Sequence, residues 1–244
     1  MSKAYQAPWS LTSLLRGDDP APSKTVLHGI DLAVMPGEIL VLVGPNGSGK
    51  TTCLKILAGV VGATSGRATV TGHAIDRDTR SAQRAVGYVP ADERSFYWRL
   101  TVRENLRFFA ALHGMAPSTL DHGLADVLEV LELRPLLESP FRNLSAGQRA
   151  RVGIARGLLH RPKVLLLDEV TRSLDPGVVV RLHVLLKTLA RERQLAILLT
   201  THDLAEAEAV ADRIGVLVEG RLVAVGDPSE VVPVARRVFF GAPS

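Results

Sequence analysis

Cysteine is almost missing from this chain. The single thiol, Cys53, excludes an internal disulfide and fits a reducing compartment. Aromatic residues make up only 5% of the sequence. No uninterrupted apolar run is long enough to cross a bilayer, and no signal peptide is expected; work at a membrane would need another chain to do the spanning. Internal repeats and low-complexity segments are lacking, so a solenoid is not expected. Charge of one sign is not in large excess either. Lys and Arg number 29 against 25 Asp and Glu, a net charge of +4. The basic residues are scattered, with small clusters at Arg161, Lys163 and at Arg191, Arg193. Without a continuous basic stripe a nucleic-acid groove is not expected, while attraction to anionic lipid headgroups stays open.

What is there is a phosphate-binding pattern. Gly44, Pro45, Asn46, Gly47, Ser48, Gly49, Lys50 and Thr51 fit G-x-x-x-x-G-K-[ST], and Thr52 follows. An apolar run, Ile39 to Val43, precedes it and predicts a buried parallel strand. The stretch Thr52 to Ala58 predicts a helix ending at Gly59, with Cys53 buried in it. Glycines let the backbone curl so that successive N–H groups face an anion, and the helix adds the positive end of its dipole. Lys50 is expected to reach the β- and γ-phosphates and the Thr51 hydroxyl to ligate Mg²⁺, with Thr52 near the α-phosphate.

A second apolar run, Val164 to Leu167, ends in Asp168 and Glu169. In a parallel sheet it delivers both acids to the carboxyl edge, where ligands bind. Asp168 is expected to hold Mg²⁺ through its outer shell, and Glu169 to orient or deprotonate the attacking water.

Patterning along the chain predicts an α/β fold. Residues 1–24 read as irregular. Thr25 to Val34 alternates and, with a turn at Met35 to Gly37, suggests an antiparallel hairpin feeding the phosphate-loop strand. Residues 66–75 read as a short strand and turn, and Val86 to Pro90 as a strand entering a loop. Helices are expected at Val102 to Leu112 behind a Thr101 cap and Glu104, at Leu120 to Leu131, and at Ala146 to His160 behind Ser145. Beyond Asp168 the expected order is helix (Val178 to Glu192), strand (Leu195 to Thr201), helix (Leu204 to Ala211), then a hairpin turning at Glu219 to Arg221. This alternation predicts a mainly parallel core sheet with an N-terminal antiparallel part and a helical insertion. The domain expectation is one unit over 1–244. Residues 1–90 and 161–232 form the nucleotide core, 91–160 the helical subdomain, and 233–244 a tail.

The phosphate loop, then Leu144-Ser-Ala-Gly-Gln148, the Asp168–Glu169 strand, Ser173-Leu174-Asp175 and His202 after a strand come in the order of ATP-binding cassette (ABC) ATPase domains. Over about residues 25–230 the chain closely resembles that P-loop NTPase family. The resemblance implies a subunit that binds Mg²⁺ and ATP, pairs head to tail with a second ATPase subunit, and hydrolyses ATP. It implies that Ser145, Gly147 and Gln148 contact the γ-phosphate held by the partner's Lys50. Asp175 would sit in the loop that communicates across the dimer, and His202 would hold the attacking water. It also implies a peripheral place on the cytoplasmic face of the cell membrane, against a separate transmembrane permease. The plain layout after His202 resembles exporters of drugs, lipids or polysaccharides. A soluble ABC ATPase in a non-transport complex is the alternative, as is a module that binds ATP without turnover.

Three departures stand out. Where the family has a Gln that ligates Mg²⁺, this chain has Ala91-Asp92-Glu93; Glu93 or Asp92 is the expected substitute, against two solvated loop acids. No aromatic lies between Gly17 and Lys50, so Tyr5 is the first choice to stack on adenine and Trp9 the second, and the strand expected before that aromatic is missing. Val170 replaces a Pro, and Arg172 alters the next loop. Five of the eleven aromatics, Phe96, Tyr97, Trp98, Phe108 and Phe109, follow the altered loop. Their cluster suits a permease-facing surface, with internal packing as the alternative, chiefly for Phe108 and Phe109.

Overall fold

A computed structural model describes residues 1–5, 24–91, 95–115, 125–172 and 174–241. At its centre is a six-stranded sheet formed by β3 (Ile39–Val43), β6 (Val86–Val89), β7 (Val164–Asp168), β8 (Ala196–Thr201), β9 (Arg213–Val218) and β10 (Arg221–Gly226). The strand order is β10-β9-β3-β8-β7-β6. All neighbours run parallel except the edge pair β9–β10, joined by the expected Glu219–Gly220 turn. Every residue of β3 and β8 is buried, as strands covered on both faces must be.

The pleat sorts side chains into two cores. Ile39, Val41, Val43, Leu165, Leu167, Ile197 and Leu199 face one. Leu40, Leu42, Leu166 and Leu198 face the other. Helix α1 (Lys50–Leu57) and helix α2 (Thr79–Arg84) lie with the second core, through Cys53, Leu54, Ile56 and Ala82. The first core takes α3 (Val102–Leu112), α4 (Ala125–Val130), α5 (Ala146–Leu158), α6 (Pro176–Arg193), α7 (Leu204–Val210) and α8 (Pro228–Phe240). Helix α3 begins at the expected capping box: Thr101 accepts from the Glu104 N–H while Glu104 accepts from the Thr101 N–H. Residues 120–124 of the helix expected at Leu120 to Leu131 lie outside the described residues.

The N-terminal part differs from expectation. Strand β2 (Lys24–Leu27) pairs antiparallel with β1 (Lys3–Tyr5), not with β3, so the strand thought to be missing is present. Three residues are too few to show a period. Beyond Leu27 the chain turns through Gly29 at φ 64, residues 28–38 form no strand, and β3 already has a parallel neighbour on each side. The short strand and turn at 66–75 is a minimal hairpin of β4 (Thr69–Val70) and β5 (His73–Ala74). The boundary expected at 233 falls inside α8, which is buried at Val231, Val232 and Ala235, so residues 233–240 continue a helix.

Candidate functional site

The site lies at the carboxyl edge of β3, β7 and β8. Strand β3 hands the chain to the loop Gly44–Gly49, and α1 begins at Lys50 with Gly49 as its N-cap at φ 106. The loop is wound too tightly for a side chain at either of its end glycines. A Cβ on Gly44 would stand 2.2 Å from the Leu217 carbonyl oxygen, and one on Gly49 2.6 Å from Leu27 Cδ2. The Ser48 hydroxyl is buried without a hydrogen-bond partner. A buried orphan hydroxyl in a curl of backbone N–H groups above a helix start is a cradle that fits a phosphate.

Lys50 and the acids converge. Its ammonium is buried, donates to the carbonyls of Gly44 at 2.7 Å and Pro45 at 3.3 Å, and pairs with Glu169 Oε1 at 3.3 Å. The Thr51 hydroxyl donates to Asp168 Oδ1 at 3.0 Å. Glu169 sits at φ 47, a left-handed conformation uncommon for a residue with a side chain. Its Oε2 lies 3.8 Å from His202 Nδ1 and 3.9 Å from Arg172. A cleft of about 360 Å³ opens over these groups, lined by Asn46 to Thr52, Val26, Ala91, Glu169 and Arg172. A second cleft of about 410 Å³ shares Ala91, Glu169 and Arg172 and continues along α5 past Arg149 and Arg156.

Thus Lys50, Thr51, Asp168, Glu169 and His202 are brought together. Ser145, Gly147, Gln148 and Asp175 do not line the phosphate-loop cleft. Ser145 caps α5 in a second capping box with Gln148, and Asp175 starts α6 without a side-chain cap. Tyr5 ends β1, partly exposed beneath the Lys3 ammonium at 4.9 Å. It does not line the cleft, whereas Val26 of the neighbouring β2 does. Trp9, Asp92, Glu93 and Ser173 lie outside the described residues. Among the described residues no cluster of three His, Cys, Asp or Glu could hold a metal alone. One hydroxyl and one carboxylate, Thr51 and Asp168, still fit Mg²⁺, which is bound through one or two carboxylates plus substrate phosphates and water.

The aromatic cluster divides. Phe96 is buried and stacks on Phe141, with ring centres 4.4 Å apart. Phe109 packs against its edge at 5.4 Å, and the Arg156 guanidinium lies 4.9 Å from Phe96 and 5.0 Å from Phe109. Burial pushes the Arg156 pKa down. Phe96 is therefore internal packing and not surface. Tyr97, Trp98 and Phe108 are exposed, with Arg149 4.6 Å from the Trp98 ring.

The sequence pattern gave no sign of Thr200 or Tyr88. The Thr200 hydroxyl donates to Asp168 Oδ1 at 2.9 Å. The Tyr88 hydroxyl is buried beside the Asp168 carboxylate without a well-formed hydrogen bond; burial first, then that carboxylate, push its pKa above the usual phenol range. Both sit in stretches of β-branched and aromatic residues that read simply as strands.

Residues 27–172 match the family described as "ABC transporter". The linearmycin resistance ATP-binding protein LnrL of Bacillus subtilis is 34% identical over 210 residues, 85% of this chain and 66% of that one. The sn-glycerol-3-phosphate import ATP-binding protein UgpC of Cupriavidus necator is 36% identical over 227 residues, 91% of this chain and 62% of that one. The chain thus spans a little under two thirds of the length of these relatives. Among solved structures, cbiO1 from Clostridium perfringens, part of the ABC transporter complex cbiONQ, superposes with a TM-score of 0.77 at 29% identity, over 88% of this chain and 89% of that one.

Proposed function

This chain belongs to the ABC transporter family, and from that premise we propose that it is the ATP-binding and ATP-hydrolysing subunit that drives a separate transmembrane permease. One observation carries the reading. The phosphate-loop Lys50 stands 3.3 Å from Glu169, which in turn lies 3.8 Å from His202, so a phosphate cradle, a base and an orienting imidazole lie side by side. Lys50 and the loop N–H groups bind the phosphates of ATP. Thr51 and Asp168 would hold Mg²⁺, which would supply positive charge against the phosphate oxygens. Glu169 accepts a proton from the attacking water, and His202 holds that water in place. Ser145, Gly147 and Gln148 complete the site across a head-to-tail dimer. Their absence from the cleft lining within one chain supports that arrangement, and it couples turnover to dimer closure. Tyr5 is the proposed adenine-stacking residue.

Among the described residues no helix is long and apolar enough to cross a membrane, and in this reading the membrane partner is another chain. The exposed Tyr97, Trp98 and Phe108 are the surface proposed to meet it, on the cytoplasmic face. Export of a drug, lipid or polysaccharide is the finer proposal, supported by a relative named for linearmycin resistance. Import is the second reading, supported by a relative named for sn-glycerol-3-phosphate import. Tagged Glu169→Gln protein, held closed with ATP, is the bait for a pull-down from detergent-solubilised native membranes. Recovery of a polytopic membrane protein is expected, and its reconstitution then reads the direction of ATP-driven flux. Recovery of soluble partners or ribosomes alone would overturn the transporter reading.

A further inference from the structure

We propose that Thr200 is a positioning residue whose single hydroxyl sets both acids of the site, the carboxylate of Asp168 and the backbone of Glu169; the inference rests on the ATPase reading above. The Thr200 side chain is fully buried on β8, next to β7, where Asp168 is its register partner. Its hydroxyl has one proton to give. The shorter contact, 2.9 Å, goes to Asp168 Oδ1, and the longer, 3.4 Å, to the Leu167 carbonyl. The same oxygen accepts from the Glu169 N–H at 3.2 Å, and the Thr200 carbonyl accepts from that N–H at 3.1 Å.

Two consequences follow. Asp168 is almost wholly buried, and a buried carboxylate must have donors or lose its charge. Among the described residues it accepts from the hydroxyls of Thr51 and Thr200, with the Tyr88 hydroxyl nearby. Thr51 is the residue that metal binding recruits. Were Mg²⁺ to engage Thr51, the Thr200 hydroxyl would still donate to Asp168 Oδ1 and fix the plane of the carboxylate. The second consequence concerns Glu169, whose left-handed φ of 47 persists only where its surroundings hold it. The pair of acceptors on Thr200 holds its N–H from the neighbouring strand. One residue thereby orients a metal-side acid and the acid that faces Lys50 and His202. An apolar side chain of the same shape would keep the packing of β8 and the backbone carbonyl's hold on the Glu169 N–H, and lose the hydroxyl's contacts to Asp168 and Glu169.

The test compares Thr200→Val, which keeps the shape, with Thr200→Ser, which keeps the hydroxyl. Binding of a fluorescent ATP analogue is titrated in EDTA and across Mg²⁺ concentrations, beside steady-state hydrolysis. Removing a residue that orients a metal ligand typically costs about 10–100-fold in metal affinity. Thr200→Val is therefore expected to raise the Mg²⁺ concentration for half-maximal effect at least about tenfold, with binding in EDTA unchanged and Thr200→Ser close to wild type. A merely structural role would lower the melting temperature without moving the Mg²⁺ requirement. Wild-type Mg²⁺ dependence in Thr200→Val, or an equal defect in Thr200→Ser, would overturn the proposal while leaving the ATPase reading intact. Failure of the wild type itself to bind the analogue would overturn that reading, and the proposal with it. Should Thr200→Val not fold, Thr200→Cys is read in its place, with the same loss expected.

Discussion

Replacing Gly87 by alanine strikes a close helix-on-sheet contact. Gly87 lies buried in β6, under α5. A Cβ there would stand 2.1 Å from the carbonyl oxygen of Gly157 and 2.9 Å from its carbonyl carbon. An ordinary carbon–oxygen contact needs about 1 Å more, and both sides are backbone, so no rotamer change relieves the clash. The whole of α5 must lift or the strand must bend. Overpacking of this kind costs about 1–3 kcal/mol, and the lack of a side-chain escape places Gly87→Ala near about 3 kcal/mol. In a chain of this length that lowers the melting temperature by about 6–12 °C. Gly153 is the control. It lies on the same face of α5, yet its Cβ would meet only Val89 Cγ1, at 3.4 Å. Gly153→Ala exchanges a poor helix former for the best one, a gain of up to about 1 kcal/mol, so its melting temperature is expected to hold or rise. Both are read by urea and thermal unfolding of ligand-free protein. Equal stability of the two variants, or a Gly87→Ala protein as stable as wild type, would refute the close-packing argument.

Two further outcomes are expected. His113 and His160 stack face to face with ring centres 4.1 Å apart. Burial lowers the pKa of each from the ordinary value of 6.5, and for His160 the charge of His113 adds to it. Both therefore bind protons more readily unfolded than folded, so stability should fall as pH drops below about 6.5 and recover above it. His113→Phe should flatten that slope in unfolding curves at pH 5.5 and 7.5; an unchanged slope would show that the pair does not titrate in this way. Cys53 is fully buried and its thiol is pushed up to about 12 by burial. It should resist a thiol reagent at pH 8 until denaturant is added; rapid labelling of the folded protein would contradict the burial of α1.

The parts of the fold that could be read from sequence are those where one local rule acts alone. The run Ile39 to Val43 is apolar at every position because both faces are covered, and Thr101 with Glu104 closes a box within four residues. The hairpin expected at Thr25 to Val34 failed because alternation marks a strand without naming its partner. That partner, Lys3 to Tyr5, is separated from β2 by 18 residues of chain. The helix Pro228–Phe240 was hidden by Pro233 inside it. Phe96 and Trp98 look alike in sequence and both meet Phe141, but only the first is buried against it. In the site, Lys50, Thr51, Asp168, Glu169 and His202 carry recognisable spacing. Thr200 does not, since a hydroxyl at a strand end acquires its meaning only when β7 comes alongside β8.

The most direct measurement is ATP turnover and ATP-dependent dimerisation of the purified chain, wild type beside Glu169→Gln. The account predicts Mg²⁺-dependent phosphate release by the wild type. It predicts a loss of about 10²-fold or more in Glu169→Gln, and a stable dimer of that variant in ATP on size-exclusion chromatography. Equal turnover in the two proteins, or a variant that stays monomeric in ATP, would contradict the assignment of Glu169 and the shared site built around it.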